Sequence, residues 1–556
     1  MKKKLRKFII IIISILIIGI YYYISLPAIN IHSIGFWQFL LFGIFVLFVI
    51  YMFRGIRKRK IDDFKSNYAG FGDFIRREKF IFAKPLIIIF VSLFAFLIFG
   101  SILSSSFINA KKYQKLLTIE DRNFMEDITK ADYSQIPLLD KNSASLLGNR
   151  KMGSMVEMVS QFEVASNYTQ INYQDKPVRV TPLVYASFIK WIANQSKGIP
   201  AYMRIDMTTQ DTECVKLEEA IQVKEGMKYS ESEYFNRNLY RHLRFKYPTY
   251  IFEDELFFEI DDEGVPYWVC AVKKFNIGLF GGQTIGKVVL CNAITGKCTT
   301  YDVDNVPQWV DKVYSAELLL GLYDYAGTLK HGYWNSALSQ KDCLQSTNGY
   351  NYIALDDDVW VYTGVTSVSG DQSNVGFVLM NQRTMETRFY RVEGAIEDSA
   401  MSSAEGQVQN LGYIATFPLL LNIENEPTYF LALKDDSGLV KKYAMVNVQK
   451  YQLVAIGDTV KECQDNYKSL LSTNGVTAEL MGEIVNYKGT IHSIYIITLK
   501  NTPFIYFTLE NKEDIFYVDL SVEELIAIVK YDKGDDIQFS AYKLMDNDIL
   551  EVLEID

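Results

Sequence analysis

Two stretches of the sequence match motifs that support catalysis or phosphate binding in other proteins. Residues 281–287 read G-G-Q-T-I-G-K, the spacing of a phosphate-binding loop, but Val288 stands where Mg²⁺ chemistry needs a hydroxyl. A strand-like segment also follows where a helix is required. Ser187 and Lys190 have the S-x-x-K spacing of penicillin-binding enzymes, but no K-T-G segment lies downstream. We therefore expect a Gly-rich loop between strands in the first stretch and an ordinary surface helix in the second.

The titratable residues that could form a catalytic or metal site are scattered. Residues 356–358 are three consecutive aspartates between strand-like segments, which predicts an acidic turn, with a Ca²⁺ site as the alternative. His242, His331 and His492 lie in separate segments, and their spacing favours packing or surface roles. A metal centre or a Ser-His-Asp arrangement built from them stays open. We assign no catalytic, metal-ligating or cofactor-binding residue and expect no cofactor.

Six cysteines are present without any C-x-x-C pair, which excludes a zinc ribbon and a thioredoxin-like motif. Cys291 and Cys298 are placed symmetrically about a predicted turn between Ile294 and Thr295. Side chains that face each other across a hairpin have Cβ atoms about 4.5–5.5 Å apart. We therefore predict that this pair is able to form a disulfide when oxidised.

The large outer region is rich in tyrosine and tryptophan, which could stack on glycans or anchor a protein partner. Aromatic residues are also favoured in strands, so packing in the core is the preferred interpretation. The tryptophans concerned are Trp191, Trp268, Trp309, Trp334 and Trp360.

These residues lie in a region that contains an internal repeat. Three segments share a layout of aromatic-rich strand, strand ending in Asn, tight turn, strand and helix. Asn292, Asn381 and Asn447 occupy the same place in each and predict structural Asx turns at hairpin tips. The helices are expected at 307–323, 396–411 and 459–471, with Pro307 in the first turn of its helix.

The hairpin-plus-helix unit, and "NAITGK" in particular, resembles the PepSY family of extracytoplasmic modules, whose hairpins carry an Asp/Asn-x-x-Thr-Gly turn. Only the first repeat has Thr295 and Gly296. The resemblance implies a related fold and a role in inhibiting or chaperoning envelope peptidases. Longer phrases such as "GIPAYMRIDM" and "FEIDDEGVPYW" resemble uncharacterised membrane-anchored envelope proteins of Gram-positive anaerobes, sometimes labelled colicin V production-like, and imply no particular activity.

The first hundred residues predict a membrane anchor. Apolar runs at 8–24, 36–53 and 85–107 are each near the length that crosses a bilayer, and basic clusters precede the first run and fill residues 54–84. Because positive charge stays on the cytoplasmic side, we expect three transmembrane helices with a cytoplasmic N-terminus and loop 54–84. A cleaved signal peptide is the alternative interpretation of the first run. The remainder is then extracytoplasmic.

The acidic charge of the chain beyond residue 110 argues against a nucleic-acid partner. Residues 1–110 hold 15 Lys and Arg against 4 Asp and Glu, so the rest of the chain has a net charge of −20 within a total of −9. Nucleic acids bind Lys/Arg-rich surfaces, so the acidic exterior predicts no nucleic-acid partner. The lipid bilayer and an envelope protein are the expected partners.

The fold class predicted is α+β. Its parts are a transmembrane anchor at 1–107, a helical connector at 108–160, a mixed domain with the first repeat at 161–330, a β-rich domain with the second and third repeats at 331–473, and an OB-like β-barrel at 474–556. A small α+β sandwich is the alternative for the last part. Together these features predict a non-catalytic envelope interaction or assembly protein. A PepSY-like regulator of an envelope peptidase and a cell-wall hydrolase or transpeptidase are the alternatives.

Overall fold

The computed structural model describes residues 2–57, 83–128, 137, 139–355, 357–368, 373–474, 483–499, 502–510, 512, 514–520, 523–543 and 549–555. The chain divides into two compact units, Met1–Gln464 and Asp465–Asp556. Both combine helices with antiparallel sheets, so the α+β class is confirmed. The domain boundaries predicted inside residues 108–473 stay a prediction.

The three apolar runs form helices: α1 Lys2–Ser25, α2 Ile34–Arg57 and α3 Ala83–Ser104. Among the described residues, Pro85–Ser104 is the one stretch long and apolar enough to cross a membrane, with a mean hydropathy of 2.9. The apolar parts of α1 and α2, Ile12–Ser25 and Ile34–Ile50, are shorter. Most of the basic loop predicted to be cytoplasmic lies outside the described residues.

The connector after α3 is less helical than predicted. Helix α4, Ser106–Gln114, ends early, and strand β1, Glu120–Arg122, then pairs in parallel with residues 388–390 of a distant sheet. Extended backbone lets this segment bond to a sheet edge, which a continued helix would forbid. Short helix α5, Phe124–Asp127, follows, and the next helices are α6 Lys141–Gly153 and α7 Val156–Val159.

The first sheet is antiparallel and contains five strands. Its order is β2-β4-β5-β6, with β3 also pairing with β4. Strand β4 is buried along nearly all its length because both of its faces are covered. The elements are β2 Phe162–Val164, β3 Thr169–Tyr173, β4 Lys176–Tyr185, α8 Phe188–Asn194, β5 Ala201–Asp206, β6 Thr212–Lys216 and α9 Leu217–Ala220.

The second sheet is a four-stranded meander preceded by a helix and a 3₁₀ turn. Two long strands form its centre, and they share one face with the first sheet's core. The elements are the 3₁₀ turn Phe235–Arg237, α10 Leu239–Lys246, β7 Phe257–Ile260, β8 Pro266–Ile277, β9 Gly281–Asn292, β10 Cys298–Asp302 and the 3₁₀ turn Val303–Asn305.

The third sheet packs against the opposite face of the second sheet, with helix α11 contributing to the same core. Strand β1 completes its edge, and two short strands form a separate ribbon beside it. The elements are α11 Ala316–Thr328, the π-helical turn Asn335–Ser339, β11 Leu344–Ser346, β12 Asn351–Leu355, β13 Asp358–Ser367, β14 Ser373–Asn374, β15 Gly376–Asn381, β16 Thr387–Tyr390 and β17 Gly394–Ala395.

The fourth sheet repeats the meander and lies beside helix α12. The elements are α12 Glu397–Gln407, the 3₁₀ turn Gln409–Leu411, β18 Ile414–Ala415, β19 Leu419–Ile423, β20 Glu426–Lys434, β21 Val440–Asn447, β22 Val454–Gly457 and α13 Val460–Thr473. The second and third predicted repeat helices are therefore close to where the sequence places them.

The helix predicted at 307–323 begins later, at Ala316, and the placement of Pro307 in its first turn is wrong. The intervening backbone amides have other partners, which explains the delay. Those of Asp311 and Lys312 donate to the Glu259 carboxylate at 2.9 Å each, and those of residues 313 and 314 donate to the Gln382 carbonyl. Helix geometry becomes possible only at Ser315, whose side chain caps α11.

The second unit contains a closed barrel with the strand order β23-β24-β25-β27-β26. This is the order expected of an OB-type barrel, and a 3₁₀ helix at Glu523–Lys530 lies between the third and fourth strands. Three phenylalanine rings, Phe507, Phe516 and Phe539, fill the interior. The strands are β23 Glu483–Leu499, β24 Thr502–Leu509, β25 Ile515–Asp519, β26 Asp536–Lys543 and β27 Ile549–Ile555.

Candidate functional site

The four sheets of the first unit meet around a cavity of about 320 Å³, here called the four-sheet cavity. Each sheet or its flanking loops contributes to the lining. Representative residues are Thr169 and Arg179 from the first sheet, Phe257 and Trp268 from the second, Tyr350 and Tyr352 beside or in the third, and Leu419 and Phe430 from the fourth. Its volume, and a lining that combines aromatic and aliphatic side chains with a few polar groups, are typical of small-molecule sites.

Arg179 is a fully buried cation on the cavity wall. It lies in the middle of β4 and is 4% exposed. Its guanidinium donates from Nε to the Leu139 carbonyl at 3.3 Å and from Nη2 to the Gln170 side-chain oxygen, also at 3.3 Å. Burial lowers the pKa of Arg179, yet the group remains charged at neutral pH. Both hydrogen-bond acceptors are neutral, and no ion pair joins Arg179 to a described carboxylate.

Lys312 is a second buried cation on the same wall, also 4% exposed. Its ammonium lies 4.0 Å from the centre of the Tyr352 ring and 5.4 Å from that of Phe257. Burial lowers its pKa to about 8. Glu259, Asp311 and Glu255 attract it from further away, but within the described residues no carboxylate oxygen lies within ion-pair distance of the ammonium.

Helix α11 adds a third positive feature. Its capping residue Ser315 and first residues Ala316 and Glu317 line the cavity. The N-terminus of a helix of this length has unpaired amides and a partial positive charge, which favour an anion. Two buried cations and this helix terminus therefore face one enclosed volume.

The remaining polar groups of the cavity are distributed unevenly. Glu255 and Glu317 are exposed, so they lie where the cavity opens to solvent. Tyr168 is buried, and its hydroxyl has no hydrogen-bond partner in the described structure. That hydroxyl lies against Gly148 of α6, so Tyr168 contributes its ring to the cavity and not a donor. Asp140 is unavailable because it caps α6 and pairs with Lys434.

The predicted cysteine pair lies elsewhere, on the face of the second sheet that packs on the first. Cys291 and Cys298 are direct partners across β9 and β10, as the sequence predicts, and both are free thiols. Their ability to form a disulfide stays a prediction. His242 from α10 places Nε2 3.5 Å from the Cys298 sulfur. The Cys291 thiol and His242 lower the pKa of Cys298 to about 5 against the effect of its burial.

All three predicted hairpin-tip asparagines form Asx turns. The side-chain oxygens of Asn292, Asn381 and Asn447 each accept from the amides two and three residues on, at 2.8–3.1 Å. Asp206 makes the same two bonds at the tip of β5 and β6 in the first sheet. This fourth repeat was not predicted, although "DMTT" carries the same acceptor and spacing. These residues are structural and lie outside the cavity lining.

The two motif-like stretches have structural roles. The glycines at 281 and 282 begin β9 at a hairpin that lies against the end of α3, and Lys287 lies inside β9 paired with Asp302. The hydroxyl of Ser187 caps α8 by accepting from the amide of Lys190. The surface helix is therefore confirmed. The expected Gly-rich loop between strands is wrong, because residues 281–287 lie within β9, which pairs with β8.

The remaining acids and histidines do not form a site together. Asp358 begins β13 and binds Arg383 through both carboxylate oxygens, Asp357 occupies a turn with φ of 63°, and Asp356 lies outside the described residues. His331 pairs with Asp342 at 3.3 Å, and His492 is exposed on the barrel. Of these residues, only His242, discussed with the cysteines, joins a cluster of potential ligands.

The tryptophans follow the core interpretation with one exception. Trp191, Trp268 and Trp360 are buried, and Trp309 is packed beside Tyr267. Trp334 is 65% exposed and contacts Phe107, just beyond the end of α3. Trp268 lines the four-sheet cavity, so one aromatic residue serves both the core and the candidate site.

No protein-family model matches the chain, and no curated protein sequence matches it significantly.

Proposed function

We propose that this protein is a membrane-anchored component of the cell envelope that binds a small organic anion in the four-sheet cavity, and that it acts by binding, without catalysis. The observation that supports this most directly is the pair of buried cations, Arg179 and Lys312, on one cavity wall without a carboxylate in contact with either.

Burial of an unpaired charge costs several kcal/mol, about 3–5 kcal/mol when one partner of a buried pair is missing. The two charges also repel each other, since Arg179 contributes to the lowered pKa of Lys312. An arrangement this costly is understandable when a ligand supplies the missing negative charge. A carboxylate or phosphate group at this wall would accept hydrogen bonds from Arg179 and Lys312.

The rest of the cavity limits the ligand further. Aromatic side chains such as Tyr352, Phe257 and Phe417 favour an apolar or aromatic body attached to the anionic group. Among the exposed charged residues of the lining, Glu255 and Glu317 outnumber Lys141, which disfavours a second negative charge and favours a neutral or cationic end. The ligand class proposed is therefore a monoanionic or zwitterionic molecule with an aromatic or apolar body.

The cellular setting of this proposal follows the sequence prediction. In this proposal, helices α1, α2 and α3 all cross the membrane. The N-terminus then lies in the cytoplasm, and the sheets lie outside the cell membrane. The apolar α3 and the basic residues of the 54–84 stretch support this topology. The lipid bilayer and an envelope protein are the partners.

A second candidate, regulation of an envelope peptidase, is favoured by the hairpins. Asp206, Asn292, Asn381 and Asn447 give four modules the turn that suggests a resemblance to PepSY modules. In that role the cavity would hold an acidic or C-terminal group of a peptide, which belongs to the same ligand class.

The test compares matched ligands and matched variants. The full chain in detergent is titrated with N-acetylphenylalanine, with its neutral amide, and with phenyl phosphate, and thermal unfolding is followed. We expect one or both anions to raise the melting temperature and the amide to have no effect. Lys312→Met and Arg179→Met should lose this stabilisation, whereas Lys190→Met, a cation outside the cavity, should retain it.

Two results would contradict the proposal. Equal stabilisation by the acid and its amide would show that the buried cations do not recognise charge. A wild-type protein that responds to neither aromatic anion would exclude the proposed ligand class.

A further inference from the structure

A second group of potential metal-ligating side chains lies in the second sheet, and none of its members lines the four-sheet cavity. It consists of His242, Cys291 and Cys298, here called the thiol cluster. Their ligand atoms all lie within 4.8 Å of one another. Cys291 is fully buried and the other two are half-buried, so His242 and Cys298 are the members that solvent reaches.

The fold fixes all three positions. Cys291 ends β9 and Cys298 begins β10, and they face each other across a turn held by Asn292. Helix α10 brings His242 over this turn, where its Nε2 lies 2.8 Å from the Gly296 carbonyl and 3.5 Å from Cys298. The Tyr229 ring packs on the imidazole with centroids 4.5 Å apart, which further fixes the ring.

The donor set indicates which cations fit. Two sulfurs and one imidazole nitrogen are soft or borderline ligands that prefer Zn²⁺ or Cu⁺ to Mg²⁺ or Ca²⁺. Three protein ligands suit trigonal Cu⁺, or tetrahedral Zn²⁺ with a water molecule in the fourth position. On binding, both sulfurs would coordinate as thiolates and release any thiol protons to solvent. His242 would coordinate through Nε2 as a neutral imidazole with its proton on Nδ1, so its hydrogen bond to the Gly296 carbonyl would be lost.

We propose that His242, Cys291 and Cys298 form a binding site for a thiophilic d¹⁰ cation, Zn²⁺ or Cu⁺. This site is independent of the proposed anion cavity, because none of its three ligands lines that cavity. It also gives the cysteine pair a role in the reduced state, whereas a disulfide would remove both sulfur ligands.

The experiment measures metal retained by the whole protein. The full chain is purified in detergent under reducing conditions, incubated with one equivalent of Zn²⁺ or, in a separate arm, Cu⁺, desalted and analysed for metal content. We expect about one ion per chain for wild type in at least one arm, and that arm identifies the cation. Cys298→Ala and His242→Ala should reduce retention at least tenfold.

The control is Cys214→Ala, which removes a partly exposed thiol outside the cluster and should retain metal as wild type does. Thermal unfolding of each variant without metal confirms that it is folded. For a folded-state readout, Co²⁺ should produce a thiolate charge-transfer band that Cys298→Ala abolishes. Metal retained equally by wild type and both ligand variants would overturn the proposal. So would a Cys291–Cys298 disulfide that persists under the reducing conditions, or a wild type that retains neither ion.

Discussion

At the scale of single residues, Lys312 links stability to binding. Its ammonium is buried against Tyr352 with no carboxylate in contact, so the unliganded protein bears the cost of the charge. We predict that Lys312→Met raises the free energy of unfolding of the unliganded protein by about 1–4 kcal/mol, because an apolar side chain of similar length replaces a buried charge. Chemical denaturation measures the change. A Lys312→Met protein less stable than wild type would contradict it.

Because Lys312 titrates, we predict opposite pH dependences for the free energy of unfolding and for anion affinity. The pKa of Lys312 falls from 10.5 in the unfolded chain to about 8 in the folded protein. Between these values the unfolded chain binds more protons, so stability relative to the Lys312→Met variant should rise with pH. Anion affinity should fall over the same interval, since the ammonium loses its charge. Denaturation and ligand titration at pH 7, 8 and 9.5 test both trends, and parallel trends would contradict the assignment.

Of the two buried cations, only one could be predicted from the sequence. Arg179 interrupts an otherwise apolar strand, "KPVRVTPLVY", and a charge in such a position signals a buried cation. Lys312 follows an aspartate in a segment with helical periodicity, which favours an exposed position. Its burial arises because Glu259 holds the loop backbone, a contact between residues 53 apart in sequence. A contact between residues so far apart in sequence cannot be predicted from a local sequence pattern.

At the scale of elements, the Asx turns share the same backbone hydrogen bonds, but the asparagine amide groups have different partners. Asn292 uses its oxygen for the turn, whereas the Asn381 amide group also donates to Asp358 at 2.7 Å. We predict that Asn292→Asp is tolerated, as Asp206 already is, because a carboxylate accepts the same bonds. Asn381→Asp should cost about 1–3 kcal/mol, since it removes a donor and places two carboxylates together.

Thermal unfolding of the two variants tests this difference. Asn447→Asp is the intermediate case, because its amide group donates to Glu426, which is only partly buried. Equal losses at positions 292 and 381 would show that the turn alone sets the cost.

The hairpin between β8 and β9 binds closely to the end of α3. The Ser104 hydroxyl accepts from the amides of Leu279 and Phe280, and a Cβ added at Gly281 would lie 2.2 Å from the Ser104 carbonyl. We predict that Gly281→Ala separates this hairpin from α3 and increases proteolysis at residues 277–281. Gly321→Ala in α11, where a Cβ meets nothing within 4 Å, is the matched control and should leave the cleavage pattern unchanged.

Elements were predictable where local patterns dominate and unpredictable where distant contacts compete. Hairpin tips follow from Asn and its spacing, and the apolar helices follow from composition. The start of α11 did not follow from a local pattern. Glu259 and Gln382 accept hydrogen bonds from the backbone amides that a helix beginning at Pro307 would need. Strand β1 was missed for a similar reason, since its partner strand lies more than 260 residues away.

At the scale of the whole molecule, the division into two units predicts that the first unit binds the ligand without the barrel. Every residue that lines the four-sheet cavity lies between positions 137 and 432. Deletion of residues 476–556 should therefore leave stabilisation by the aromatic anion unchanged, as measured by the same thermal titration. Loss of the response in a truncated protein that still folds would assign the barrel a part in ligand binding.

The convergence of four sheets on one cavity was not predictable from the sequence. The repeats and the barrel follow from strand patterns, because each is built from neighbouring segments. The cavity depends on how separate modules pack, and its lining includes residues as distant as Leu139 and Phe430. Packing between modules rests on many weak contacts with no local signature.

The ribbon formed by β8 and β9 has a mechanical consequence. One end is hydrogen-bonded to Ser104 at the terminus of α3, and Cys291 stands near the other. From Gly281 to Cys291 the strand extends about 33 Å, at about 3.3 Å per residue. No loop interrupts this span, but the register shifts between Val272 and Lys273, where Gly286 is unpaired. On either side of this bulge the paired strands resist bending better than a single chain would. A change in the tilt of α3 would therefore be transmitted along the ribbon toward the thiol cluster, and Gly286 is the point at which the ribbon would bend first.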